Sequence, residues 1–136
     1  MFKCGKQCPA CPFIQEGSKT KINKATDWKI NRKVNCQSFN VVYMIECNKE
    51  KCHQRYIGET KRMLKARLAD HRGYVANHDT TKTTGAHFTL PGHSLSNMKV
   101  TILEQVKKDD DLYRKQREQY FIQKFDTMNR GLNKKN

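Results

Sequence analysis

A chain of 136 residues can bury one modest core with a small appendage, and its longest apolar run falls well short of the roughly 20 residues that cross a bilayer, which excludes a spanning role. Hydrophobic residues make up 36% of the chain and the mean hydropathy is −0.91, the balance of a polar-surfaced domain. The net charge of +14 asks for a polyanionic partner, and a phosphate backbone is the usual one.

That charge is not confined to a tail. Residues 1–40 carry eight Lys/Arg against two Asp/Glu, and residues 41–136 carry nineteen against eleven. The competing readings are a solvated basic face and a membrane-surface protein. No amphipathic basic helix with an aromatic face supports the membrane. The opening "MFKCGKQCPACPF" has no apolar h-region, so it does not read as a signal peptide.

In chain order, residues 1–12 are rich in turn formers. Residues 13–35 are polar and basic, with Trp28 and Ile30 as isolated anchors and a short strand expected around 28–34. The β-branched run "NVVYMIE" predicts a strand at 40–46. "RYIGE" predicts a second at 55–59, antiparallel to the first across a loop at 47–54. Thr60 reads as the N-cap of a helix over 61–78, with Leu64, Leu68 and Val75 as its apolar stripe. Arg67, His71, Tyr74 and His78 lie along a different face of that helix. Gly73 weakens it without forbidding it.

Residues 79–96 read as a loop, and "MKVTILE" predicts a third strand at 98–104. Asp109, Asp110 and Asp111 stand where the macrodipole favours negative charge, at the start of a helix over 110–125. The tail "NRGLNKKN" reads as irregular. The expected fold class is α/β (α+β), a small three-stranded, mainly antiparallel sheet flanked by helices. A zinc-stabilised N-terminal extension, residues 1–39, precedes a domain at 40–136.

Six cysteines without a secretory signal favour metal ligation over disulfides. Cys4, Cys8 and Cys11 form C-x3-C-x2-C, and Cys36 is the nearest unused fourth ligand. One zinc ion there would staple a segment too poor in apolar residues to hold itself. Cys47 and Cys52 form C-x4-C in the loop between the first two strands. His87 and His93 form H-x5-H later on, and together the two pairs match a Cys2His2 zinc site. His53 and His78 are rival ligands. Both sets have four protein ligands, so about two structural zinc ions are expected.

A second constellation remains: Tyr43, Tyr56, Gly58, Arg67, His71, Glu118 and Asn133. "YIG" stands intact at 56–58, after "VVY" at 41–43. Arg67 and His71 follow in "YIGETKRMLKARLADH", Glu118 in "REQYFIQKF" and Asn133 in "GLN". In these residues the chain resembles the GIY-YIG nuclease family. Its "VVY" first half-motif, the cysteine pair between the half-motifs, and "HFTLPGH" at 87–93 are similar to the endonuclease of Penelope-like retroelements.

The resemblance implies hydrolysis of a DNA phosphodiester. Tyr43 would take the proton of the attacking water, and Tyr56 would help position it. Glu118, a hard carboxylate, would hold a catalytic Mg²⁺ or Mn²⁺. The alternative for Glu118 is an i,i+4 pair with Arg114, worth a few tenths of a kcal/mol. Arg67 can grip a phosphate with two hydrogen bonds, and His71 can share a proton near neutral pH. Gly58 suits a close approach of the DNA backbone, and Asn133 bonds within the site. Arg67 and a nearby metal should lower the tyrosine pKa values.

Lys61, Arg62, Lys65 and Arg72 are the candidate DNA-binding cations. The resemblance further implies a nick whose 3′-hydroxyl primes reverse transcription, a nuclear location, element RNA as a partner, and a longer parent chain with a fused reverse transcriptase. A non-catalytic, zinc-stabilised nucleic-acid-binding module is the main alternative, and a zinc-bearing protein-interaction domain is the third.

Overall fold

The computed structural model describes residues 1–107 and 109–134. The β-branched run becomes β3 (Val41–Cys47), and Val41 to Ile45 are all buried on it. That continuous burial makes β3 the central strand. It pairs antiparallel with β4 (Arg55–Thr60) on one side and β5 (Met98–Gln105) on the other. The sheet is therefore three-stranded and antiparallel, with β4 as one outer strand.

The β3–β5 register slips between Val42 and Tyr43: Val42 faces Glu104, whereas Tyr43 faces Ile102. Leu103 is the extra residue of this bulge. Its carbonyl accepts the Trp28 indole N–H at 2.9 Å, so the local break in the ladder leaves no orphan there.

Trp28 belongs to a small hairpin, β1 (Lys19–Lys21) paired with β2 (Asp27–Lys29). The strand expected at 28–34 is thus shorter and starts earlier. Its partner is too short and polar to signal itself in sequence. Asn23 makes the turn, its side-chain oxygen accepting from the backbone N–H of Ala25 and Thr26. Residues 1–39 share the core of the sheet. Met1, Ile14, Ile30 and Val34 are buried in it, and Ile14 bridges to Val100 on β5.

The first helix, α1 (Leu64–Ala76), starts later than expected, and Thr60 does not cap it. Thr60 is the last residue of β4, and its hydroxyl oxygen accepts from the Arg62 N–H at 3.1 Å. The orphan N–H groups of Leu64 and Lys65 are taken by the carbonyls of Ser38 and Cys36, at 2.8 and 2.7 Å. A non-local cap replaces the local one. Leu64, Leu68 and Val75 are buried as expected, and His71 joins them. The helix ends at Ala76, so His78 lies beyond it, in the left-handed region at φ 50°.

The segment read as a loop contains α2 (Thr83–His87), which packs on α1. Helix α3 (Asp111–Phe125) begins as expected, with the Asp110 carboxylate accepting from the Tyr113 N–H at 3.1 Å. The tail is more ordered than its composition suggests. After α4 (Thr127–Arg130), Leu132 donates its N–H to the Arg55 carbonyl, and Asn133 clamps β4. Residues 135–136 of the tail lie outside the described residues.

Candidate active site and metal clusters

Side chains alternate faces along a strand, so Tyr43 on β3 shares one face with Tyr56 and Gly58 on β4. Tyr43 is fully buried and stands directly opposite Gly58. A Cβ on Gly58 would lie 2.5 Å from the Tyr43 hydroxyl oxygen. The glycine is there to let the phenol pass over the edge strand. Passage of a DNA backbone, the reason expected from sequence, is not needed to explain it.

Arg67 and His71, one turn apart on α1, both reach that phenol. Arg67 Nε donates to the Tyr43 hydroxyl at 3.1 Å, and His71 Nε2 lies 2.8 Å from it. On the far side of the imidazole, His71 Nδ1 lies 2.7 Å from Thr84 Oγ1, on α2. The rings of Tyr56 and Tyr74 stand edge-on to His71, with centroids at 5.9 and 5.6 Å. A cleft of about 260 Å³ opens beside them, lined by Tyr56, Arg67, His71, Tyr74, Lys82 and Thr84. Arg67 Nη1 donates to Asp70 at 3.2 Å, whereas Nη2 has no hydrogen-bond partner among the described residues.

Glu118, on α3, is half-buried and near enough to the tyrosines and Arg67 for their charges to act on one another. Its charge raises the pKa of both Tyr43 and Tyr56, and Arg67 in turn pulls the Glu118 pKa down. Burial wins that contest, with help from Glu59, and lifts the carboxyl to about 7. The alternative for Glu118, a pair with Arg114, does not form. Arg114 is buried against Glu59, Asp111 and Asn40 instead. Glu118 has no ion pair among the described residues, so no cation of the chain occupies this hard oxygen ligand.

The tyrosines move the other way from expectation. Burial raises the pKa of Tyr43 and Tyr56, and the nearby Arg67 offsets this only in part. Tyr43 is therefore a neutral phenol. Burial and the Arg67 cation push His71 down to about 3, so its imidazole is neutral too.

Asn133 acts on backbone. Its side-chain oxygen accepts from the Ile57 N–H at 2.8 Å, and its amide donates to the Ile57 carbonyl at 2.9 Å. It holds β4 between Tyr56 and Gly58 and covers its outer edge. Of the candidate DNA-binding cations, Lys61 and Lys65 are exposed, and Lys61 pairs loosely with Asp109 at 3.7 Å. Arg62 pairs with Asp70. Arg72 is drawn to the N-terminal extension, donating to the Pro9 carbonyl at 2.7 Å and lying over the Phe13 ring.

Both ligand sets converge. The sulfurs of Cys4, Cys8, Cys11 and Cys36 lie within 4.8 Å of one another, with Cys8 3.0 Å from Cys36 and 3.4 Å from Cys11. Thiolates around one zinc at about 2.3 Å stand roughly 3.8 Å apart, so the set fits that ion. The Lys6 backbone N–H, with Cys36, holds the Cys4 thiol down to about 6, ready as a thiolate. Gln7, just before Cys8, is left-handed at φ 51°, as the tight loop requires.

Cys47, Cys52, His87 and His93 form the second cluster, also within 4.8 Å. Cys52 Sγ is 3.5 Å from His87 Nε2. His93 Nε2 is buried without a hydrogen-bond partner among the described residues. A buried imidazole nitrogen left open toward two sulfurs suits a metal ligand. His53 and His78 stand outside this cluster. Either set can hold a zinc ion with no open position for chemistry.

Sequence reasoning missed Thr84, because a five-residue helix leaves no periodic signal. Asp70, which ties Arg62 to Arg67, lay in view within "LADH" but only a folded α1 brings the three together. No curated protein and no solved structure gives a match to this chain. The family model of the GIY-YIG catalytic domain matches residues 39–135. With that match covering well over half of its length, and with Tyr56, Arg67 and His71 lining one cleft and Tyr43 hydrogen-bonded to Arg67 and His71, the chain belongs to the GIY-YIG family of nucleases.

Proposed function

We propose that this protein is a divalent-metal-dependent DNA endonuclease that nicks one strand and leaves a 3′-hydroxyl. The chain of contacts from Arg67 to Tyr43 to His71, with half-buried Glu118 within electrostatic reach of it, carries the reading. Glu118 would hold Mg²⁺ or Mn²⁺, which supplies Lewis-acid stabilisation of the scissile phosphate when bound. Arg67 Nη2 remains for a phosphate oxygen, in a half-buried position where a charge-assisted hydrogen bond is strong.

A neutral phenol cannot accept a proton unless it gives up its own. Tyr43 therefore acts as a relay. Once bound DNA and metal bring a water against its buried oxygen, it would take a proton there while passing its hydroxyl proton to His71 Nε2, 2.8 Å away. A neutral imidazole is the state that relay needs. Arg67 opposes build-up of a cation on His71, so the proton would return through the Tyr43 oxygen and pass by way of water to the departing 3′-oxygen, giving the 3′-hydroxyl. Tyr56, on the same face of the sheet, would help to position the water.

Lys61, Arg62 and Lys65 cluster where β4 turns into α1, and we assign them to the DNA backbone, with Arg72 shared between DNA and the extension. Zinc at the two cysteine clusters keeps the extension and the 47–54 loop in place. Among the described residues no helix is long and apolar enough to cross a membrane. The likeness of "VVY" and "HFTLPGH" to Penelope-like elements supports a nuclear role, in which the nick primes reverse transcription by a fused polymerase on element RNA. A supercoiled plasmid incubated with Mg²⁺ or Mn²⁺ tests this: nicked circles that DNA polymerase extends directly support the reading. Nicks blocked by a 3′-phosphate contradict it.

A further inference from the structure

We propose that Thr84 is a positioning residue that fixes the tautomer of His71, and that the Cys47/Cys52/His87/His93 cluster holds Thr84 in place through α2. The inference deepens the nuclease reading and rests on it for its effect on catalysis, but the geometry is independent of that reading.

Hydrogen-bond directions lead to it. Arg67 can only donate, so the Tyr43 oxygen accepts from Nε, and the buried phenol hydrogen has no acceptor other than His71 Nε2 among the described residues. Nε2 must then be the acceptor. The one hydrogen of the neutral ring sits on Nδ1 and donates to Thr84 Oγ1 at 2.7 Å. Thr84 is 1% exposed, so no water competes for that contact. Without the hydroxyl, the ring is free to carry its hydrogen on Nε2. That tautomer would meet the phenol hydrogen head-on and break the relay.

Helix α2 spans five residues, too few to be stable alone. Two features pin it. At Gly85 any Cβ would collide with the Asp79 carbonyl oxygen, so the helix lies pressed against the end of the α1 turn. One turn after Thr84, His87 enters the Cys52 contact of the second cluster. Thr84 and His87 are three residues apart and share a face of α2. A metal ion at the cluster therefore sets the position of the Thr84 hydroxyl.

Nitrogen-15 NMR of the imidazoles in the zinc-loaded full chain reads the tautomer directly. Wild-type His71 should show the Nδ1–H form. Thr84→Val, which keeps shape and loses the hydroxyl, should shift His71 to the Nε2–H form or a mixture. Thr84→Ala reads the same change should the extra methyl disturb packing, and Thr84→Ser should restore the wild-type signal. His93→Ala should lose one zinc per chain and shift the His71 signal in the same direction. Nicking should fall roughly 10- to 100-fold in Thr84→Val and recover in Thr84→Ser, with DNA affinity unchanged. An unaltered His71 tautomer in both Thr84→Val and Thr84→Ala overturns the proposal, as does loss of zinc in His93→Ala with no change at His71. If wild type fails to nick, the endonuclease reading falls while the tautomer result still decides the role of Thr84.

Discussion

Tyr43 and Gly58 face each other across β3 and β4, and the phenol fills the space a side chain at Gly58 would occupy. The backbone at Gly58 is ordinary extended strand, so the need is for volume and not for an unusual φ. A Cβ 2.5 Å from the hydroxyl oxygen must push the ring off Arg67 and His71.

Gly58→Ala should therefore reduce nicking by about 10²-fold, as expected for a misplacement of about an ångström. It should also lower thermal stability. Adding Tyr43→Ala should recover much of the stability and none of the activity. Melting curves of the two single variants and the double variant measure this coupling.

Glu118 gives a pH prediction. Its folded pKa, about 7, lies above its ordinary value of 4.5, so the folded state favours the protonated form. That advantage is complete below 4.5 and is lost as pH rises to 7. Glu118→Gln should consequently stabilise the metal-free protein at pH 8 by about 1–3 kcal/mol, and make little difference near pH 4. Denaturant unfolding at the two pH values checks the sign. In the wild type, Mn²⁺ affinity should fall close to tenfold per pH unit below 7, because proton and metal compete for one carboxylate.

Asn133 closes the edge of β4 with two hydrogen bonds to Ile57. Asn133→Ala should cost about 1–2 kcal/mol of stability. Amide exchange at Ile57 should accelerate more than exchange at Met44, its partner on the interior strand.

The two clusters predict about two zinc ions per chain by elemental analysis. Cys36→Ser and His93→Ala should each remove one. Chelation at the first cluster should loosen residues 1–36 and, through the Cys36 carbonyl that caps Lys65, the start of α1.

What was legible in the sequence followed from local periods and spacings. A β-branched run at 40–46, the short run "RYIGE" and the alternation of "MKVTILE" marked the three strands of the sheet, and the intervals between cysteines and histidines marked two ligand sets that meet in space. What was not legible depends on partners far along the chain. Thr60 looks like an N-cap, yet it stays in β4 because the carbonyls of Ser38 and Cys36 cap α1. The glycine at 58 is explained by a cross-strand partner, and the tail asparagine by an edge 76 residues away. The upward shift of the tyrosines reflects burial, which charge counting along a sequence does not register.

Single-turnover nicking by Glu118→Ala, measured beside its DNA affinity, tests the central claim most directly. The account predicts binding equal to wild type and no metal-dependent cutting. Cutting at the wild-type rate by that variant would contradict it.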